Sequence, residues 1–195
     1  MRQLRASLAH LAGERGATMV EFAVSLPLLI VLVVGIFDFG SAFNFKQELN
    51  NAAREGARYS SSAPTADLSA VGSTPATVIA AATLVDSYML AAKINDCGLN
   101  AVINAGTAAA STGLTWTFTA TGCPAGTLTL KIQRGFAQLA GGSVGSTNIT
   151  VISSQVTISY PYAWQFSKVI QLLVPGANYA GATLISTSAT LPNES

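Results

Sequence analysis

Charge is what this sequence has least of. Ten Lys/Arg and nine Asp/Glu make up 10% of its 195 residues, a low share for a soluble domain. From Ser60 onward only eight charged side chains occur. The formal net charge of +1 provides no field to attract nucleic acid or an acidic substrate. Histidine occurs once, as His10, so imidazole catalysis and most zinc sites have a single residue to draw on. Cysteine occurs twice, at Cys97 and Cys123, and two thiols without a nearby histidine make a poor metal site. Gly141-Gly142 reads as a turn, because neither a GxxxxGK[ST] nor a GxGxxG context surrounds it. Serine and threonine abound, yet no motif sets a base beside any of them. Two short Asn-x-Ser/Thr matches, at Asn148 and Asn193, are too common by chance to carry weight. There are no tandem repeats. The chain therefore reads as a non-enzyme with no cofactor, no metal, no nucleic-acid partner and no small-molecule substrate.

What the sequence does have is an uncharged apolar run of sixteen residues, Phe22 to Phe37, bracketed by Glu21 and Asp38. As a helix the run covers about 24 Å, and counting from Ala17 extends it to about 31 Å, a full bilayer span. Arg2, Arg5 and Arg15 against Glu14 make the preceding stretch basic, which predicts a cytoplasmic N-terminus with everything after Asp38 outside. A secretory signal peptide fits less well. The run is longer than a typical h-region and continues into helix-compatible sequence, and Ser41-Ala42-Phe43 is a poor cleavage site. A carboxylate just inside such a run is costly in lipid and is a functional hypothesis by default. The plainer alternative places Glu21 at the headgroup level with no role.

Around that carboxylate stands Arg15-Gly16-Ala17-Thr18-Met19-Val20-Glu21-Phe22. This resembles the processing site of the type IV pilin superfamily, in which a membrane-embedded prepilin peptidase cuts after the Gly and leaves Glu at the fifth mature position. Gly16 suits such a cut because, without a Cβ, it lies extended in a tight groove at little steric cost. Glu21-Phe22, Leu26-Pro27-Leu28, Asp38-Phe39-Gly40 and above all Ala52-Ala53-Arg54-Glu55-Gly56-Ala57-Arg58 resemble the TadE-like pilins of the tight adherence (Flp) pilus system. The likeness runs from Gly16 to Tyr59 and returns more weakly at Val156–Tyr162 and Ile185–Leu191. It implies cleavage between Gly16 and Ala17, which would leave a mature chain without histidine. It also implies that Glu21, beside Phe22, meets the freed α-amino group of a neighbouring subunit and sets helix register. The implied partners are prepilin peptidase, other pilin or pseudopilin subunits, the inner-membrane assembly platform and the lipid bilayer. The implied role is a minor pilin or pseudopilin of the bacterial inner membrane, needed for pilus assembly and surface attachment. The alternatives are an uncleaved single-pass protein with an outer binding domain, a secretion-system pseudopilin, or an extracytoplasmic enzyme. The Glu-Phe and Ala-Arg-Glu-Gly-Ala-Arg pattern argues against the second.

The expected fold is α+β and pilin-like: a long transmembrane helix, continuing into an amphipathic half, with a small outer domain of antiparallel sheet packed on helix. Residues 1–16 form the leader, where Leu4, Leu8 and Leu11 with the arginines suit a weak amphipathic helix on anionic lipid. One helix is expected over 17–59, its span at about 17–38 (including Phe22, Pro27 and Phe37), with a modest kink at Pro27. In the outer part, 39–59, Phe45, Leu49, Ala52, Ala53, Gly56 and Tyr59 make an apolar stripe. Glu55 can pair with Arg58. Ala52 with Gly56 and Ala53 with Ala57 are small-x-x-x-small pairs that permit close helix packing, against either another subunit or the chain's own outer domain. A linker is expected over 60–73 and the outer domain over 74–195.

Thr74 is the expected N-cap of a second helix, with Pro75 in its first turn. That helix should end near Ile94, with Asp86 and Lys93 off its apolar face. Strands are expected at 115–121, 127–133, 148–160 (with a bulge or bend near Ser153-Ser154) and 183–190, and a short helix over 166–174. An oxidising compartment favours a Cys97–Cys123 disulfide, closing a loop of about 26 residues worth roughly 3 kcal/mol in the chain-entropy account. Two buried thiols or a metal pair are the alternatives.

Overall fold

The computed structural model describes residues 2–69, 73–106, 108–111, 113–144, 147–166 and 182–194. The first element, α1, spans Arg2–Ser62 and runs through Pro27 without interruption. It extends three residues past the expected Tyr59 because serines finish it. Ser61 Oγ and Ser62 Oγ donate to the Arg58 carbonyl at 2.9 and 3.2 Å, and Ala63 N–H reaches Tyr59 O at 3.0 Å. These bonds satisfy carbonyls that a helix end leaves without partners. The stretch expected as linker then holds a 3-10 turn, Ala66–Ser69.

The chain divides into two compact units, Met1–Ser41 with Trp164–Ala180, and Ala42–Ala163 with Gly181–Ser195. In the first unit the apolar surface of α1 faces outward. Near its end Asp38 is buried, and its Oδ1 accepts the Gln165 N–H at 3.2 Å. Phe39 meets Trp164 edge to face, with ring centroids 5.4 Å apart.

The second unit is a five-stranded antiparallel sheet in the order β1-β2-β3-β4-β5. Its strands are a three-residue β1 (Ala109–Ser111), then β2 (Thr115–Cys123), β3 (Gly126–Val144), β4 (Thr147–Ala163) and β5 (Ala182–Pro192). The period-two pattern selects the buried face. Phe118, Leu130, Ile132, Val156 and Ile158 all point into the core with no exposure. Over that face lie the outer part of α1 and α2 (Ala76–Ala91), which contribute Leu49, Ala53, Ala57, Val85 and Met89 to one continuous cluster. A short α3, Leu99–Asn104, adds Leu99 and Ile103. This is the expected α+β arrangement, an antiparallel sheet covered by helix.

Local expectations fail where a distant segment supplies the decisive contact. Thr74 does not cap α2: its hydroxyl donates to Gly106 O at 2.8 Å, and Pro75 occupies the N-cap position. The capping oxygen comes from Asp67 in the 3-10 turn, whose Oδ2 accepts Thr77 N–H at 2.8 Å. A carboxylate there also sits favourably at the positive end of the helix dipole. The helix stops at Ala91 in a Schellman motif, with Lys93 N–H to Leu90 O and Ile94 N–H to Met89 O, both at 2.9 Å. Lys93 holds the left-handed position, φ 59°, that glycine usually fills. The bulge lies not in β4 but across from it. Between Gln133↔Gln155 and Phe136↔Ser153, β3 spends one residue more than β4, so Arg134-Gly135 face the single Ser154. Beyond that slip β3 continues to Val144, well past the expected Gln133. The helix expected over 166–174 lies outside the described residues apart from Phe166.

Cys97 and Cys123 are joined by a disulfide, with Cα atoms 4.7 Å apart, tying the approach to α3 onto the end of β2. Gly122 makes that junction possible. Its N–H donates to Cys97 O at 2.9 Å, and a Cβ placed there would lie 2.5 Å from the same carbonyl oxygen.

Asp86, expected off the core face of α2, is buried instead. Its Oδ2 accepts from Asn100 Nδ2 at 3.1 Å, while Oδ1 has no hydrogen-bond partner among the described residues. Burial pushes its carboxyl pKa up, the nearby Asp96 adds to the shift, and the Asn100 bond opposes it. An acid with a raised folded pKa binds more protons folded than unfolded, so stability falls as pH rises through the interval above 3.8, the ordinary value. Asp86→Asn keeps the Asn100 contact and removes the charge. Thermal melts should find the variant more stable than the parent at pH 7, with the gap closing below pH of about 4. A variant less stable at pH 7 would show that the ionised carboxylate is needed.

Candidate assembly surfaces on helix α1

The two halves of α1 differ in what covers them. From Gly16 to Leu29 every residue is exposed, including Phe22 at 64% and Leu28 at 76%. Among the described residues this is the one helix long and apolar enough to cross a membrane, and none of its apolar window is buried within the chain. So much bare hydrocarbon on all sides of a helix requires an apolar surrounding, since each large side chain left in water forfeits about 1.5–3 kcal/mol of burial. Glu21 lies in the middle of this surface, in a shallow concavity with Val20, Val24, Ser25 and Leu28, and has no ion-pair partner among the described residues. Ser25 Oγ donates to the Phe22 carbonyl at 3.3 Å, just before Pro27 removes the donor that the Ala23 carbonyl would use. Around Gly16 nothing lies within 4 Å of where a Cβ would stand. Among the described residues a Cβ at Gly16 therefore meets no obstacle.

The outer half is arranged the other way. Ala52, Ala53, Gly56 and Ala57 are all buried, and they face the chain's own α2 and sheet. At Gly56 a Cβ would stand 2.5 Å from Val85 Cγ2 and 3.6 Å from both Val156 methyls. Of the two readings of these small residues, the structure selects packing on the chain's own domain. Arg54 and Arg58 point away from that contact and are exposed. The expected Glu55–Arg58 ion pair is not formed, and neither residue has an ion-pair partner among the described residues.

One anchor escaped sequence reasoning. Arg134, the bulge residue of β3, is almost wholly buried. Its Nη2 donates to Ala63 O at 2.8 Å and its Nη1 to Thr77 Oγ1 at 3.2 Å. Burial pushes its guanidinium pKa down, opposed by the charge of Asp67. At Asp67 burial acts upward, but the Thr77 bonds and Arg134 outweigh it and hold the carboxyl below its ordinary value. The Arg134 carbonyl accepts from Asn193 Nδ2 at 3.1 Å, and Glu194 N–H reaches Ser61 O at 3.0 Å. The end of α1, the 3-10 turn, the start of α2 and the last described residues thus meet around one buried cation. The sequence signal for it was a charged residue in phase with the inward positions Leu128, Leu130 and Ile132. Among the described residues no three His, Cys, Asp or Glu side chains gather where a metal could bind.

Residues 16–58 match the family model described as TadE-like protein. The match begins at Gly16 and ends at Arg58, the same stretch whose motifs carry the resemblance, and the sheet lies beyond it. Comparison with curated proteins and with solved structures returns no match.

The packing at Gly56 yields a direct test. Gly56→Ala should lower stability by about 1–2 kcal/mol, because overpacking against Val85 outweighs a helix-propensity gain of up to about 1 kcal/mol. Adding Val85→Ala should return part of that loss, and a double-mutant cycle from denaturant unfolding measures the coupling. Additive effects would mean that α1 and α2 are not in contact at this point.

Proposed function

We propose that this chain is a minor pilin or pseudopilin of the tight adherence pilus, anchored by α1 and processed after Gly16 by prepilin peptidase. The observation that carries the proposal is the TadE-like match over 16–58, which includes both the Gly16 junction and the apolar surface around Glu21. Basic residues Arg2, Arg5 and Arg15 keep the leader on the cytoplasmic side, where a membrane-embedded peptidase can reach the junction.

Cleavage would free the α-amino group of Ala17, a new cation one helical turn from Glu21. Within one helix both groups lie on the same exposed surface. Between neighbouring helices the carboxylate of one subunit can meet the ammonium of the next. Leaving Glu21 unpaired in hydrocarbon costs several kcal/mol, and a fixed ammonium partner offsets that penalty only at the matching height. The pair therefore selects one register among helices whose apolar flanks would otherwise slide. On this reading the outer unit, held to the same helix, is carried into the assembly and presents the adhesive or partner-binding surface.

Intact mass of the membrane form, from cells with and without prepilin peptidase, tests the proposal. The expected product begins at Ala17 only when the peptidase is present. Gly16→Leu, at an exposed position where a Cβ meets nothing within 4 Å, should leave the leader in place. A full-length chain still carrying His10 in peptidase-positive cells would leave an uncleaved single-pass protein with an outer binding domain.

A further inference from the structure

The motif Ala52–Arg58 has a half that core packing does not use. Its small residues face the sheet, whereas Arg54 and Arg58 face outward and belong to a longer series. Lys46, Asn50, Arg54 and Arg58 recur at every fourth residue, so they form one stripe along α1 with a rise of about 6 Å per step. Two adjoining clefts, of about 360 and about 400 Å3, run beside this stripe and share Asn50. The opposite wall of both is β5, through Thr187 in the first and Ser188–Leu191 in the second. Where the clefts meet, Thr187 Oγ1 donates to Asn50 Oδ1 at 3.2 Å. Lys46, Arg54 and Arg58 are exposed and have no ion-pair partner among the described residues, and Glu55 is the one acid lining the groove.

Among the described residues β5 is also an open edge of the sheet. It pairs with β4 in unbroken register over Ser153↔Pro192 to Ala163↔Ala182 and with no other described strand. Edge strands are normally protected by charges, internal proline or a bulge. β5 has no charged residue, no register shift, and proline only at its last position. A regular, unprotected edge beside a row of unpaired cations is suited to capture of an extended acidic chain.

We infer that the groove between α1 and β5 receives an extended, acidic segment of a partner protein, which adds to the sheet beyond β5 and sets its carboxylates against Lys46, Arg54 and Arg58. The spacing agrees with this. Alternate side chains of a strand repeat at about 6.8 Å, close to the rise of the helical stripe, so acids at positions i, i+4 and i+6 face the three cations and a neutral residue at i+2 faces Asn50. The partner is a different chain, since none of β1 to β5 contains Asp or Glu and a second copy could offer no acidic strand. The groove lies wholly in the second unit and does not require cleavage at Gly16.

Fluorescence anisotropy on the full chain in detergent micelles tests this, using a labelled peptide Thr-Glu-Val-Thr-Val-Glu-Val-Glu-Thr. Three comparisons define the result: the same peptide with Gln for Glu, the acidic peptide N-methylated at alternate amides, and the Arg54→Gln/Arg58→Gln protein. The acidic peptide should bind, and each comparison should weaken it about tenfold or more, equivalent to 1.4 kcal/mol. Lys46→Gln, at the far end of the stripe, should act in the same direction if the double variant melts early. Equal binding of the N-methylated peptide would reduce the groove to a polyanion site. Equal binding of the Gln peptide, an unaffected variant, or no binding of the acidic peptide would each overturn the inference.

Discussion

The close approach of α1 to its own sheet is the constraint on which the outer unit depends. It exists because Ala52, Ala53, Gly56 and Ala57 present almost no side chain on one face, letting the helix settle against Val85 and Val156. Larger residues there would lift the helix and expose the alternating apolar positions of β3 and β4. The buried Arg134 then fixes what the small residues only permit. It joins the carbonyl at the end of α1 to the hydroxyl of Thr77, while Asp67 supplies both the countercharge and the cap of α2. A buried guanidinium is tolerable only with such partners, so the corner around it is specified rather than merely packed.

The same helix solves the reverse problem earlier in its length. Between Gly16 and Leu29 it carries large apolar side chains all round, and among the described residues nothing covers it. Small residues are unnecessary there, and large ones (Met19, Phe22, Leu28) are used instead. One element thus changes from an exposed apolar cylinder to a core helix, and the TadE-like match over 16–58 spans both. The one carboxylate within the bare stretch, Glu21, is the residue that such a surface cannot explain by itself.

How much of this was legible in the sequence depended on whether the deciding contact was local. The apolar run, the Gly16–Glu21 spacing and the alternation of Trp116, Phe118, Leu128, Leu130 and Ile132 are local patterns, and the strands formed where they pointed. The Cys97–Cys123 bond also followed, from compartment and count. The misplaced features all involve residues far apart in the chain. Thr74 is a reasonable cap by type, but the 3-10 turn brings Asp67 closer to Thr77. Asp86 looks solvent-facing until α3 brings Asn100 beneath it. Ser153-Ser154 does mark a disturbance, yet one strand's sequence cannot say which partner has the extra residue, and it lies at Arg134-Gly135. That slip also hid the second half of β3, where Ala137, Gln138 and Leu139 are all exposed and no in-and-out alternation marks a strand. The row of Lys46, Asn50, Arg54 and Arg58 on α1 gained its meaning only from the fold, because nothing local sets β5 beside it.

The central claim is that the chain serves assembly of a surface fibre, with α1 as its anchor. Electron microscopy of cells lacking this chain tests that most directly, scored as pili per cell before and after the full chain is supplied again. The account predicts that pili are lost or severely reduced, and that the restored chain returns them. Normal numbers of pili on cells without the chain would contradict it.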